Sequence, residues 1–259
     1  MIITVDIGNT NIKIALFQGK RIIRDLRMNT QKNTRGRQYY RLLKKLFSHK
    51  RIPAENIEAI VICSVVPSVT GAMAIALRSL FKKRPFILGK DLIAPIKNCY
   101  KKPRQVGQDR LANAVGAYDQ YGAPLIVVDF GTALTFDLVS RQGHYLGGVI
   151  VPGLEVSLNA LIENAALLSP ITLKRPKSLI GKETSASILS GIVYGLSFLV
   201  EGMIAQLKNK ISGRTIVVAT GGKATFMAQY CPSFNKISPQ LTHHGLRISY
   251  EKALKRKKS

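Results

Sequence analysis

The chain has 259 residues, with 39 Lys and Arg against 14 Asp and Glu, for a formal net charge of +25 and 46% hydrophobic residues. That length supports one large core or two modest ones, and no uninterrupted apolar run approaches the ~20 residues that cross a bilayer. Cys63, Cys99 and Cys231 are odd in number and widely spaced, with no CxxC, so neither a disulfide framework nor zinc is indicated. Together with the lack of a basic leader before the first motif, they lead us to expect a reduced, cytoplasmic protein without a membrane anchor.

In chain order, alternation and turn residues predict strands at 1–6, 12–17 and 21–28, with Gln18-Gly19-Lys20 as a hairpin turn. A helix is predicted over 36–49, with Tyr39, Leu42, Leu43 and Leu46 on one face. A buried strand follows at 58–66, then a helix capped by Ser68 and running to Leu80. A short strand at 85–88 and a proline-containing loop at 91–106 lead to a helix over 109–121, broken by Gly122-Ala123-Pro124. The pattern then restarts. Strands are predicted at 125–129, 134–139 and 144–151, and a helix from Pro152-Gly153 to about Leu168. A basic connection at 169–182 precedes a long apolar helix at 184–209, a strand at 215–219 and terminal helical segments. Three strands, a helix, a strand and a helix thus occur twice, predicting two domains, 1–118 and 119–259.

The phrase at the end of the first strand is repeated at the end of the first strand of the second half. Val5-Asp6-Ile7-Gly8-Asn9-Thr10 is echoed by Val128-Asp129-Phe130-Gly131-Thr132. Each apolar run reaches an aspartate, then a glycine, then a threonine, then a second apolar strand. Such a turn can bring amides and a hydroxyl to phosphate oxygens, and a carboxylate beside it calls for a cation to offset the repulsion. The same residues also suit an ordinary β-hairpin, since Asp-x-Gly is common turn chemistry. Asp6 would hold magnesium through water. Lys13, on the following strand, faces either the turn or solvent.

Other constellations also carry two readings. Asp109, at the start of a helix in Gly107-Gln108-Asp109-Arg110, is either an N-cap or a general base for a substrate hydroxyl, and Arg110 either surface charge or the fork for an anionic substrate end. Thr220-Gly221-Gly222 after a strand either admits a nucleotide or simply turns the chain. Asp6, Asp109, Asp129 and Asp137 stand out because acids are so scarce. None occurs between Asp25 and Glu55, while Arg27, Lys32, Arg35, Arg37, Arg41, Lys44, Lys45, Lys50 and Arg51 accumulate there. With no aromatic stacking motif or zinc finger beside it, this charge reads as a solvated basic surface rather than a nucleic-acid interface. The four histidines lack metal-ligand spacing, and Walker A, GxSxG and kinase HRD signatures are missing.

As an ordered set these residues resemble the type III pantothenate kinases, of the acetate and sugar kinase, heat-shock chaperone and actin superfamily. The matching phrases are DIGNTNIK at 6–13, Cys63-Ser64-Val65-Val66-Pro67, Tyr100-x-x-Pro103-x-x-Val106-Gly107-x-Asp109-Arg110, Asp129-Phe130-Gly131-Thr132-Ala133, Gly147-Gly148-x-Ile150-x-Pro152-Gly153, Gly181-x-x-Thr184 and Thr220-Gly221-Gly222. The resemblance implies an α/β fold of two duplicated actin/ribonuclease H-like domains, of βββαβαβα type, with a cleft between them. It implies ATP-dependent phosphorylation of pantothenate to 4'-phosphopantothenate, the first step of coenzyme A biosynthesis, by a homodimer using Mg2+ and a monovalent cation (K+ or NH4+). By that likeness Asp6, Ile7, Gly8, Asn9, Thr10, Asn11, Ile12, Lys13 and Thr132 contact ATP, and Asp129 binds the monovalent cation. Tyr100, Gly107, Gln108, Asp109, Arg110 and Thr184 hold pantothenate, and Asp109 takes the proton. The sequence departs from the family at Lys102, Gln108, Leu134 and Lys223. The alternative expectation is a kinase-like protein that assists transcription through its basic surface.

Overall fold

Two β-sheets with the same internal order organise the chain. In the computed structural model, residues 1–32, 34, 36–48, 53–165 and 169–258 are described. The first sheet combines β1 (Ile2–Ile7), β2 (Asn11–Gln18), β3 (Arg21–Asn29), β4 (Ala59–Ser64) and β5 (Phe86–Ile87) in the order β3-β2-β1-β4-β5. The hairpin strands pair antiparallel, whereas β1 with β4 and β4 with β5 pair parallel. In the second sheet β7 (Leu125–Phe130), β8 (Ala133–Val139), β9 (His144–Pro152), β10 (Ile216–Thr220) and β11 (Lys236–Ile237) repeat that order and those directions. One strand is added, β6 (Lys97–Asn98), parallel to β9. Register shifts recur at matching places, Leu16/Phe17 in β2 and Leu138/Val139 in β8.

The strand sequences explain each core. Alternation sends Ile3, Val5, Ile7, Ile12, Ile14 and Leu16 to one face of the first sheet, where α1 (Gly36–Ser48) and α2 (Pro67–Phe81) cover them. From α1, Tyr39, Leu43 and Phe47 are buried, at i, i+4 and i+8. Leu42 is exposed, contrary to the expectation, because a helical stripe advances by 3.6 residues and neighbouring positions diverge. The expected last residue of that helix, His49, lies outside the described residues, as do Arg35, Lys50 and Arg51 of the basic stretch. Ser68 does not cap α2: Pro67 occupies the first turn, and the Ser64 hydroxyl takes the N–H of Val66 at 3.0 Å.

In the second sheet, Ile126, Val128, Phe130, Leu134 and Phe136 form the core with α4 (Leu154–Glu163), α5 (Thr184–Lys208) and α6 (Ala224–Met227). α4 ends at Glu163, with Asn164 as its C-cap, and so stops short of the expected Leu168; residues 166–168 lie outside the described residues. Among the described residues α5 is long and apolar enough to cross a membrane by length and composition, with 33% of that window buried. Its serines and glycines interrupt the run that a residue-by-residue reading requires, while the average hydropathy of 1.8 remains high.

The chain does not divide at a single point near residue 118. One compact unit comprises Met1–Ile96, Lys102–Gly116 and the segment from Leu241; the other comprises Lys97–Lys101 and Ala117–Gln240. Two helices of the first unit, α3 (Gln108–Tyr121, to Gly116) and α7 (Leu241–Lys258), explain why the C-terminus does not stay with 119–240. The Thr242 hydroxyl donates to Asn113 Oδ1 at 2.7 Å, and α7 approaches α3 at Gly245 and Ala112. Pairing of β6 with β9 gives Lys97–Lys101 to the second unit, a strand that the loop composition did not announce.

Candidate active site

In the first unit, the turn after β1 is built by its own backbone. Gly8 N–H donates to the Asn11 carbonyl at 2.9 Å, leaving Asn9 and Thr10 exposed at the tip. The end of β3 supports it, with the Thr30 hydroxyl donating to the Gly8 carbonyl at 2.7 Å and Thr30 N–H to the Thr10 carbonyl at 2.9 Å. Sequence reasoning missed Thr30, which lies 22 residues from its partner. Asp6 is opposite Lys13 on β2 and Cys63 on β4, so these three side chains share the sheet face opposite the apolar core. Ile7 and Ile12 close the hairpin from the buried side.

Asp109 lies within the first turn of α3 and is not its N-cap. Its Oδ1 accepts the N–H of the next residue, Arg110, at 2.8 Å, while the Gly107 carbonyl accepts from Leu111 N–H at 3.2 Å. A Cβ at 107 would overlap Asp109 Oδ1, so a larger residue there would have to displace that carboxylate. Burial pushes the Asp109 carboxyl above its ordinary range, opposed by the Arg110 N–H and by the charge of Arg110. Cys63 reports where that carboxylate sits. Its buried thiol is raised well above the usual value by burial first, then by the charges of Asp6 and Asp109. The charges of Asp6 and Asp109, 103 residues apart by number, thus both act on one buried thiol. Arg110 is only 8% exposed, which removes the surface-charge reading. Gln108 packs its amide over Gly89.

The second unit repeats the plan. Asp129 is opposite Thr135 on β8 and Thr220 on β10, the positions that Lys13 and Cys63 hold around Asp6. The Gly131 N–H donates to the Ala133 carbonyl at 3.1 Å, leaving Thr132 exposed, and the Thr132 carbonyl accepts from Gly153 N–H at 3.0 Å. Gly221, at φ +91°, lies so close to Asp129 that a Cβ would overlap both its carboxylate and the Phe130 backbone. Asp137 is buried and satisfied by the hydroxyls of Tyr145 at 2.7 Å and Thr135 at 3.2 Å, so it belongs to the second unit's interior polar network. Tyr100 stacks at 3.4 Å over the place a Cβ would take on Gly147. Thr184 is exposed in the first turn of α5. Of the departures, Lys223 pairs with Glu155 at 2.7 Å and Leu134 fills the core.

Among the described residues no group of three or more His, Cys, Asp or Glu could hold a metal ion. The donors present still suit a hard cation shared with a polyphosphate, for which one or two carboxylates complete a shell supplied by phosphate and water. Asp6 and Asp129 are partly buried oxygen donors beside exposed turns.

A family model described as type III pantothenate kinase matches residues 2–206. A type III pantothenate kinase of Moorella thermoacetica is 37% identical over 97% of this chain and 99% of its own length. One from Geobacter sulfurreducens is 38% identical with the same coverage. Among solved structures, a conserved Campylobacter jejuni protein of the Baf family, named as a transcriptional activator, matches with TM-score 0.60 at 17% identity, over 98% of this chain and 99% of that one. The (R)-2-hydroxyglutaryl-CoA dehydratase component A of Acidaminococcus fermentans matches with TM-score 0.57 at 16% identity, over 98% and 100%. At these identities the structural likeness shows a shared mixed α/β fold.

Proposed function

Since the chain belongs to the type III pantothenate kinase family, we propose that it transfers the terminal phosphoryl group of ATP to the primary hydroxyl of pantothenate, opening coenzyme A synthesis. The observation that carries this reading is the repetition of one device. A strand-end carboxylate, Asp6 or Asp129, sits at the same position of two sheets with the same order, each followed by an exposed Gly- and Thr-containing turn.

Residues 6–13 and Thr132 take the triphosphate through backbone N–H groups, hydroxyls and the Lys13 ammonium. Asp6 would hold Mg2+ through water and Asp129 a monovalent cation. When bound, these ions offset the repulsion between carboxylates and phosphates. Tyr100, Gly107, Gln108, Arg110 and Thr184 bind pantothenate, whose carboxylate suits the Arg110 fork. Asp109 accepts the hydroxyl proton. A carboxylate of ordinary basicity suffices for a loose phosphoryl-transfer transition state, and burial raises Asp109 above that. For the homodimer, the supporting feature is the uncovered face of α5, where Phe198 is 62% exposed beside Gly191, Gly195 and Gly202.

The test is ADP formation with and without pantothenate and potassium, for wild type and Asp109→Asn. The reading requires pantothenate-dependent turnover that the substitution abolishes. Turnover that ignores pantothenate, or none at all, overturns it and favours a regulatory role.

A further inference from the structure

The acid-poor stretch after Asp25 contributes one cation to the face that carries Asp6. Asp6 is in register with Lys13, and Lys13 with Arg27, across β1, β2 and β3. Directly opposed residues in antiparallel strands project to the same face, so a carboxylate, an ammonium and a guanidinium form a file from the middle of the sheet to its edge. With strands ~4.8 Å apart, the Arg27 backbone is roughly 10 Å from that of Asp6.

The orientation of Arg27 is fixed by the turn itself. Its Nε donates to Asn11 Oδ1 at 2.9 Å, and Asn11 also supplies the carbonyl that closes the turn at Gly8. That bond uses one of five guanidinium N–H donors and ties the side chain to the β1–β2 turn rather than to open solvent. Arg27 itself is exposed, so the arrangement needs no buried charge. Three residues further along the chain, just past the end of β3, the backbone reaches Thr30, whose hydroxyl donates to the Gly8 carbonyl of the turn. The third strand therefore supports the turn and brings a fork-shaped cation to it.

We propose that Arg27 binds the phosphate chain of the nucleotide beside Lys13, with Asn11 positioning its guanidinium. The inference rests on the reading of residues 6–13 as the nucleotide-phosphate turn. A planar fork can take two phosphate oxygens at once, which an ammonium cannot, and its contribution grows with the number of phosphates offered. Arg27 thus helps the site to distinguish ATP from AMP.

The experiment measures equilibrium binding of ATP and of AMP, with Mg2+ and without pantothenate, to the full chain and to R27Q, R27K and R21Q. Arg21 is exposed on the same strand, six residues and about 20 Å away, and controls for loss of one positive charge. R27Q is expected to weaken ATP binding by about tenfold or more and to leave AMP binding unchanged. R27K should fall between, and R21Q should match wild type. Unchanged ATP affinity in R27Q, an equal loss for ATP and AMP, or an equal loss in R21Q overturns the inference. Wild type that binds ATP but shows no pantothenate-dependent turnover would sink the proposed reaction while leaving the Arg27 result to stand by itself. Wild type that binds no ATP removes both.

Discussion

The hydroxyl of Thr30 donates to the carbonyl of Gly8 at 2.7 Å, joining the end of β3 to the turn between β1 and β2. Thr30→Val keeps the shape and removes that bond. Loss of one such bond costs about 1 kcal/mol. We expect a rise in KM for ATP with little change in KM for pantothenate, and near wild-type values in Thr30→Ser, whose hydroxyl can bond the same carbonyl. Steady-state kinetics with each substrate varied in turn decides it; equal effects on both substrates would contradict a role at the turn.

Asp109 should show function and stability pulling apart. Its folded-state pKa is raised by burial, so the native state binds the proton more tightly than the unfolded chain. The cost to stability is then absent below the unfolded pKa, sets in as pH rises toward the folded value, and is complete above it. Asp109→Asn keeps an acceptor for the Arg110 N–H and removes the charge. It is expected to reduce turnover by at least ~100-fold while unfolding at an equal or higher temperature at pH 7. That gain should vanish on acidification, and the acid limb of the wild-type rate profile should lie above the ordinary aspartate range. A destabilised Asn variant at neutral pH would refute the burial argument.

At Gly221 both conformation and space are restricted. The residue is at φ +91°, and an added Cβ would meet Asp129 and the Phe130 backbone. Gly221→Ala is expected to cost about 2 kcal/mol or more in denaturant unfolding. Gly222→Ala, with nothing within 4 Å of the added carbon, is expected to be close to neutral. Similar losses at the two sites would mean that the close approach to Asp129 does not matter.

His243 predicts an acid-side weakness. It is buried against Thr4, Nδ1 to Oγ1 2.8 Å, and burial first, then the charges of Lys13 and His244, lower its pKa to about 3. The unfolded chain therefore binds a proton that the native state refuses between pH 6.5 and about 3. Stability is lost as pH falls through that window, by on the order of 1.4 kcal/mol per unit once below the unfolded value. Urea unfolding of wild type and His243→Gln across that range should show a flatter pH dependence in the variant. Parallel curves would exclude His243 as the cause.

Local pattern revealed much of this protein. Alternation of apolar and polar residues located the hairpins, and the two Asp-Gly-Thr phrases fell at corresponding strand ends. The ordered set of motifs matched the family that the comparisons then showed. The errors were also local. Periodicity puts Leu42 with Tyr39 on the core face, whereas the helix turns it outward; of the two readings open for Asp109, the cap falls away because α3 begins one residue earlier. The β6 strand was missed because two polar residues carry no period of their own.

The sequence by itself determined the hairpins, the core faces and the carboxylates at the strand ends, because side-chain period and turn chemistry act within a few residues. Only the tertiary structure decided that Arg27 and Thr30 reach the first turn, that the charges of Asp6 and Asp109 both act on Cys63, and that His243 bonds Thr4. Those meetings depend on which strands become neighbours and in what register, and that choice is made by burial summed over a whole sheet rather than by any short run of residues.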